Sequence, residues 1–167
     1  MPAAEQGVNP ERYKVIPRTA IFLRRGDSYL LLKGAATKKV WPGCYNGIGG
    51  HVDRGEDVLT SAARELKEET GLEARLWLCG TVMVDAGEIG VALYVLSGEV
   101  TGGTLQGSDE GLAEWVPFDR VAELPVVADL PVLLGRIHRM QRGGAPFTAR
   151  SYYDATGQLQ VEFPVDR

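Results

Sequence analysis

The chain has 167 residues, of which 44% are hydrophobic and 24% are charged, and its formal net charge at pH 7 is -4. This length supports one sizeable hydrophobic core and disfavours two independent domains. We therefore expect a single domain over residues 1–167, with residues 1–12 as a flexible N-terminal extension. The negative net charge argues against nonspecific binding to nucleic acid, which requires a basic surface.

The sequence carries no signal for membrane insertion or secretion. Its apolar runs fall short of the ~20 residues needed to span a bilayer, and the N-terminus lacks the charged-then-apolar order of a signal peptide. Two cysteines, Cys44 and Cys79, make a poor disulfide framework, and we expect both to be small buried side chains. These features predict a cytoplasmic protein without a membrane partner, and they leave its oligomeric state open.

In chain order, the predicted elements alternate between strands and a few helices. They are strands over 14–24 and 29–33 around a turn at Gly26-Asp27, a loop over 34–43, a helix over 57–70, β-rich runs over 72–85 and 89–100, a short strand over 112–117, one helical turn over 121–124, a helix over 131–141, and a hairpin turning at 154–157. Mixed strands with helices on both sides predict an α/β sandwich.

The helix over 57–70 contains no Gly or Pro and is marked at both ends. An acidic residue, Asp57 or Glu56, stands at the N-terminus, and Gly71 stands where a left-handed residue would end the helix. Apolar residues recur at i, i+3, i+4 and i+7, which predicts a buried stripe of Leu59, Ala62, Ala63 and Leu66.

Three glutamates, Glu65, Glu68 and Glu69, share one side of this helix, where like charges at i+3 and i+4 repel each other. Hard oxygen ligands on a semi-rigid scaffold suit Mg²⁺ or Mn²⁺. The alternative is a solvated acidic face paired with Lys67 and Arg64. That alternative would not explain the glycine-rich loop before the helix, so the pattern favours a metal-phosphate site.

The run from Gly50 to Leu72, GHVDRGEDVLTSAARELKEETGL, resembles the signature of the Nudix hydrolase family at every constrained position. The resemblance implies the Nudix fold, in which a mixed β-sheet lies between helices and residues 50–72 form a loop, a helix and a loop. It also implies a divalent cation, Mg²⁺ or alternatively Mn²⁺. The implied site has Glu65, Glu68 and Glu69 as metal ligands and catalytic residues, the Gly50 carbonyl as a further ligand, and Glu56 with Arg64 as an internal ion pair.

The segment before this run, Asn46-Gly47-Ile48-Gly49-Gly50, is similar to the branch of MutT-like proteins that hydrolyse oxidised purine nucleoside triphosphates. In that branch the matching asparagine hydrogen-bonds the base, and an Asn side chain offers both donors and an acceptor. The alternative is that Asn46 forms the turn before Gly47. Trp41 and Tyr45 could stack on a base or pack in the core, and packing is the commoner role.

Further along, Ser108-Asp109-Glu110 again resembles that branch, which makes Glu110 a candidate metal ligand or general base; the alternative is an exposed loop acid. One departure concerns the base. Mammalian members carry paired aspartates where this chain has Val126 and Val127, with Asp129 offset by several residues, so selectivity for an oxidised purine stays open. Candidates to contact a polyphosphate are Lys33, Lys38 and Lys39, although exposed loop lysines commonly serve solubility.

Together, these features predict a Mg²⁺-dependent pyrophosphohydrolase of nucleoside triphosphates, with 8-oxo-dGTP as one candidate substrate, that releases a nucleoside monophosphate and pyrophosphate. Its partner would be a small nucleotide. Two alternatives stay open: hydrolysis of another nucleoside diphosphate-X compound, and a nucleotide-sensing module without turnover.

Overall fold

The structure is a computed structural model that describes residues 2–164, in which eight strands form a mixed β-sheet. Its strands are β1 (Lys14–Arg25), β2 (Ser28–Gly34), β3 (Tyr45–Asn46), β4 (Leu72–Val84), β5 (Ile89–Gly103), β6 (Gly111–Pro117), β7 (Phe147–Tyr153) and β8 (Leu159–Glu162). The helices are α1 (Val58–Thr70) and α2 (Leu130–Arg139), with short 3-10 helices at Ala3–Gln6 and Phe118–Glu123.

The strand order is β3-β2-β1-β5-β4-β7-β8, with β6 paired to β2. The long strand β1 serves both halves of the sheet, because its residues 14–23 pair in parallel with β5 while Arg24 and Arg25 pair antiparallel with β2. β4 runs antiparallel to β5 and parallel to β7. The sheet is therefore mixed, as predicted.

Each face of the sheet carries its own hydrophobic core. Successive strand residues point to opposite faces, and in β1 Ile21 and Leu23 join the cluster that includes Ala62 and Leu66 of α1. Phe22, between them, joins the other cluster, which includes Leu134 of α2. The sheet therefore lies between the two helices, and the predicted α/β sandwich is confirmed.

The predicted ends of α1 are confirmed by their capping contacts. Asp57 is the N-cap, and its Oδ1 accepts hydrogen bonds from the backbone N–H groups of Leu59 and Thr60 at 2.9 and 3.0 Å. Gly71 adopts a left-handed conformation with φ of 74° and donates its N–H to the carbonyl of Lys67. Both signals act between chain neighbours, which is why the sequence alone sufficed to place them.

The predicted apolar stripe of α1 is partly wrong. Leu59 is 48% exposed and Ala63 is also exposed, whereas Ser61 and Thr70 are fully buried beside Ala62 and Leu66. The short hydroxyl side chains tolerate burial because each has a carbonyl partner. Ser61 donates to His51 at 3.2 Å and Thr70 donates to Leu66 at 2.6 Å.

Other differences from the predicted elements are small. The two-residue strand β3 is too short for an alternating pattern and was not predicted, and β7 begins at Phe147, ahead of the predicted hairpin. Helix α2 covers 130–139 instead of 131–141. Of the predicted domain, residues 1 and 165–167 lie outside the described part of the chain. None of the helices within residues 2–164 is long and apolar enough to cross a membrane.

Candidate active site

A two-point ion pair ties the loop before α1 to the helix itself. Arg64 donates from Nε to Glu56 Oε1 at 2.7 Å and from Nη2 to Glu56 Oε2 at 3.0 Å. Glu56 Oε2 also accepts from the backbone N–H of Asp53 at 3.1 Å. The hydrogen bonds from the Arg64 guanidinium, and to a smaller extent the one from the Asp53 N–H, lower the pKa of Glu56 to about 2. The predicted Glu56–Arg64 pair is thus present, and it closes the loop against α1.

The same guanidinium contacts two of the three predicted metal ligands. Arg64 Nη1 lies 3.0 Å from Glu65 Oε1 and 3.3 Å from Glu68 Oε2. The Glu68 side chain is 60% exposed, whereas that of Glu65 is 16% exposed. Arg64 therefore supplies positive charge to an acidic cluster as well as to the loop.

The third predicted ligand, Glu69, is a buried carboxyl group with an unpaired oxygen. It is 7% exposed, and its Oε2 has no hydrogen-bond partner among the described residues. Burial raises the pKa of Glu69 to about 8, with additional repulsion from Glu65 and Glu110 that Lys38 partly offsets. A buried carboxylate in this setting requires a compensating cation or a proton.

Two glycines bring the loop backbone against the cluster and against β1. A Cβ on Gly50 would lie 2.5 Å from Glu65 Oε1, and a Cβ on Gly49 would lie 2.0 Å from the carbonyl oxygen of Thr19. The Gly50 carbonyl accepts a hydrogen bond from the Thr19 N–H at 2.9 Å. Gly49 and Gly50 must therefore lack side chains for the loop backbone to approach Thr19 and Glu65 this closely.

The donor set fits a hard divalent cation, although its side chains do not surround one common point. Within residues 2–164, no group of three or more His, Cys, Asp or Glu side chains is arranged to hold a metal ion. Glu65 and Glu68 point to Arg64 instead. The fit rests on the chemistry: clustered carboxylate oxygens, one of them buried and unpaired, are ligands that Mg²⁺ and Mn²⁺ accept.

The structure places Glu110 near this cluster and separates the three candidate lysines. Lys38 Nζ lies 2.6 Å from Glu110 Oε2, and both groups influence the pKa of Glu69. Lys33 is exposed, with its Nζ 5.8 Å from the ring centroid of Tyr45, and Lys39 is exposed in the following loop. Of the predicted lysines, Lys38 is the one brought to the acidic cluster.

A cleft of about 250 Å³ opens beside Glu69 and contains Asn46. Asn46 lies in β3, opposite Leu32 of β2, and its Oδ1 accepts from the Gly47 N–H at 2.8 Å. Gly47 is required for packing, since a Cβ there would lie 2.9 Å from the Phe22 ring. Because Asn46 lies in strand β3 and pairs with β2, it is not at the apex of a turn. Its amide nitrogen stays a candidate donor to a base.

The two aromatic residues before Asn46 have different environments. Tyr45 is buried, donates its hydroxyl to Glu114 Oε1, and has a pKa raised to about 12, chiefly by that hydrogen bond. Tyr45 therefore packs in the core. Trp41 is 53% exposed, lines the cleft and has a positive φ of 50°. Stacking on a base stays a prediction for Trp41.

Sequence reasoning missed two charged residues that line this cleft, Arg18 and Asp129. Arg18 is a charged residue within an otherwise apolar stretch of β1, which was the available signal. Asp129 lies several residues from the position of the paired aspartates, and spacing along the chain does not show that it reaches the cleft. A second cavity of about 280 Å³, near Arg24 and Trp77, contains none of the predicted site residues.

A model of the NUDIX domain matches residues 14–149. This span covers most of the chain and includes the loop, α1 and the cleft, so the chain belongs to the Nudix family of hydrolases. The family and the enzyme class predicted from residues 50–72 are confirmed.

Solved structures and curated proteins agree with this assignment. The MutT protein of Bacillus halodurans superposes with a TM-score of 0.75 at 24% identity, covering 92% of this chain and 100% of that one. The MutT protein of Methanosarcina mazei superposes with a TM-score of 0.65 at 23% identity, covering 77% of this chain and 96% of that one. The NAD-capped RNA hydrolase NudC of Pseudomonas aeruginosa is 28% identical over 136 residues, 79% of this chain and 47% of the relative. The chain thus spans about half the length of that relative.

Proposed function

We propose that the chain is a divalent-cation-dependent pyrophosphohydrolase that converts a nucleoside triphosphate and water into a nucleoside monophosphate and pyrophosphate. The observation that carries this proposal is the position of Glu69, a buried carboxyl group whose Oε2 has no hydrogen-bond partner within residues 2–164, at the edge of a cleft of about 250 Å³. Mg²⁺, or Mn²⁺ in its place, would neutralise phosphate charge and lower the pKa of a bound water. Glu65, Glu68, Glu69 and the Gly50 carbonyl would hold it.

The chain's own residues supply position and charge around that chemistry. Arg64 and Glu56 keep the loop closed against α1, and the backbone of Gly50 in that loop lies against the Glu65 carboxylate. Glu110 lies close enough to raise the pKa of Glu69 and is a candidate general base. Lys38, ion-paired with Glu110, is the candidate that would move to the polyphosphate.

A second candidate substrate is a nucleoside diphosphate linked to another group. It is favoured by the NudC relative, which is named as an NAD-capped RNA hydrolase. NAD and NAD-capped RNA both contain such a diphosphate linkage, and this candidate would admit a nucleic-acid partner. An 8-oxopurine triphosphate belongs to the first candidate, because it differs only in its base.

A substrate panel separates these functions. The purified chain with Mg²⁺ is incubated with dGTP, 8-oxo-dGTP, dATP, dCTP, NAD and a short NAD-capped RNA, and the products are resolved by chromatography. We expect a monophosphate and pyrophosphate from a triphosphate. Cleavage confined to NAD or capped RNA would replace the first proposal with the second. Binding without any turnover would support a sensing module and overturn both.

A further inference from the structure

The cavity of about 280 Å³ at the C-terminal end of α2 is separate from the proposed catalytic cleft. It is lined by residues of β1, β4 and β5 and by the end of α2, and among the described residues it shares none of its lining with the cleft. Asp129, at the start of α2, lines the cleft, whereas Ile137 and Met140, at the other end, line the cavity. The cavity and the cleft can therefore be occupied independently.

The inner wall of the cavity is apolar and polarisable. Cys79 is 1% exposed, and burial raises the pKa of its thiol to about 11, so the thiol is uncharged at neutral pH. Ile137 is also buried, and Trp77 and Met140 pack against the same hydrophobic cluster. Indole rings and thioether sulfur atoms both make favourable contacts with aromatic rings. This wall therefore suits a flat aromatic group.

One arginine at the mouth of the cavity has a fixed position and unused donors. Arg24, near the end of β1, donates from Nε to the Gly26 carbonyl at 2.8 Å, and its Nη2 lies 3.5 Å from Oδ1 of Asp27. The Asp27 side chain is 88% exposed, and a contact with so exposed a carboxylate contributes little. Within residues 2–164, Nη1 of Arg24 makes no hydrogen bond. Arg24 can therefore donate to an anion at the mouth.

A second arginine at the mouth, Arg142, is already paired. Its Nη1 donates to Glu99 Oε2 at 3.1 Å, and its Cζ lies 4.9 Å from the centroid of the Trp77 ring. Glu99 also lines the cavity, where it offsets the charge of Arg142 and would repel another carboxylate. The positive charge that is least compensated at the mouth is therefore that of Arg24.

We propose that this cavity binds a small aromatic carboxylate, with its ring against Trp77 and Met140 and its carboxylate on Arg24. The volume lies just below the usual range of ligand pockets, ~300–1,000 Å³, which limits the ligand to one ring or two fused rings. The guanidinium fork matches a carboxylate in two-point geometry. A phosphate dianion matches the same fork, but it carries more charge than a single uncompensated arginine offsets. The site therefore favours a monoanion.

Calorimetry with 2-naphthoate tests this site, with 2-naphthamide as a neutral probe of similar shape. We expect wild type to bind 2-naphthoate more tightly by about 10-fold, the size of one charge-assisted hydrogen bond. Arg24→Met should remove this preference. Glu99→Gln should strengthen the binding of 2-naphthoate, because it removes the opposing carboxylate and frees Arg142. Arg120→Met is the matched control, since Arg120 is an exposed arginine paired with Glu123 at 2.6 Å.

Nuclear magnetic resonance locates the probe through two indole N–H signals, each assigned with a Trp→Phe variant. Trp77 lines the cavity and Trp41 lines the cleft. We expect 2-naphthoate to shift the Trp77 signal and to leave the Trp41 signal in place. A shift of Trp41 alone would put the probe in the cleft and overturn the proposal.

Three calorimetric results would also overturn the aromatic carboxylate site. They are equal binding of 2-naphthoate and 2-naphthamide, no binding of 2-naphthoate at millimolar concentrations, and unchanged affinity in both Arg24→Met and Glu99→Gln. Thermal melting checks that each variant is folded, and Glu99→Gln keeps the test decisive if Arg24→Met is not. None of these measurements involves hydrolysis, so the proposed function and this inference stand or fail separately.

Discussion

At the scale of single residues, Glu69 is the most constrained group of the candidate site. Its carboxyl group is almost fully buried and its Oε2 has no hydrogen-bond partner in the described part of the chain, while Glu68, one residue earlier, is mostly exposed. Neighbours in a helix point about 100° apart, so one residue can lie under the loop while the next faces solvent. The two glutamates therefore offer different tests of one proposed metal site.

Glu68→Gln and Glu69→Gln should each lower kcat by about 100-fold or more, since each removes a charged oxygen ligand and metal stabilisation of the reacting phosphate is worth several kcal/mol. Steady-state kinetics across a Mg²⁺ titration measure the effect. Glu73→Gln, an exposed neighbour paired with Lys67, is the matched control. A kcat equal to that of wild type in both variants at saturating Mg²⁺ would contradict the metal-site assignment.

Asn46→Ala should raise KM for a purine nucleotide by about 10-fold while leaving kcat nearly unchanged, the signature of lost ground-state binding. The reason is that Asn46 lines the cleft, and within residues 2–164 its amide nitrogen makes no hydrogen bond while its Oδ1 accepts from the Gly47 N–H. If Asn46 matters only through its contact with the Gly47 N–H, the variant should instead melt at a lower temperature and lose activity equally on every nucleotide.

At the scale of elements, the loop over residues 50–57 and α1 act as one unit. Glu56 and Arg64 form a two-point contact, and the guanidinium also reaches the His51 carbonyl at 3.3 Å. Removing one partner leaves the other charge and several hydrogen-bonding groups without compensation. The loop carries Gly50, so loosening it should affect both stability and activity.

Arg64→Met should lower both the melting temperature and kcat, because it releases the loop and leaves Glu56, Glu65 and Glu68 without their shared cation. Thermal melting and turnover are measured side by side. The control is Arg54→Met, an exposed arginine in the same loop. A variant that melts like wild type would show that the ion pair has no structural role.

At the scale of the whole molecule, the buried carboxyl group of Glu69 makes the free energy of unfolding depend on pH. The ordinary pKa of Glu69 is 4.5 and the folded pKa is about 8, chiefly through burial. Between these values the unfolded chain has released the proton while the folded chain retains it. The unfolded state then binds fewer protons, so stability of the metal-free protein falls as pH rises from 4.5 to 8.

Metal-free protein should therefore melt at a lower temperature at pH 8 than at pH 5, and Glu69→Gln should reduce this difference by several degrees. In a domain of this size, 1 kcal/mol corresponds to a change of about 2–4 °C. Differential scanning calorimetry in a chelating buffer measures both proteins, with Glu68→Gln as the exposed control. Parallel pH profiles for wild type and Glu69→Gln would contradict the burial effect.

The sequence by itself determined the features that depend on chain neighbours. Helix α1 was bounded correctly because Asp57 and Gly71 act on N–H and C=O groups within four residues. The hairpin turn at Gly26-Asp27 also depends on chain neighbours, because it joins Arg25 directly to its partner Ser28. The family signature over residues 50–72 is also local, and it indicated the acidic cluster and the Glu56–Arg64 pair.

Only the tertiary structure decided which side chains share the cleft. The burial of Ser61 in place of Leu59 depends on a carbonyl partner at His51, which periodicity cannot reveal. Arg18 and Asp129 come from β1 and from the start of α2, far apart in the chain, and meet at one cleft. Sheet pairing and helix packing bring such residues together, because burial of apolar surface acts across the whole molecule and is not encoded by spacing along the chain.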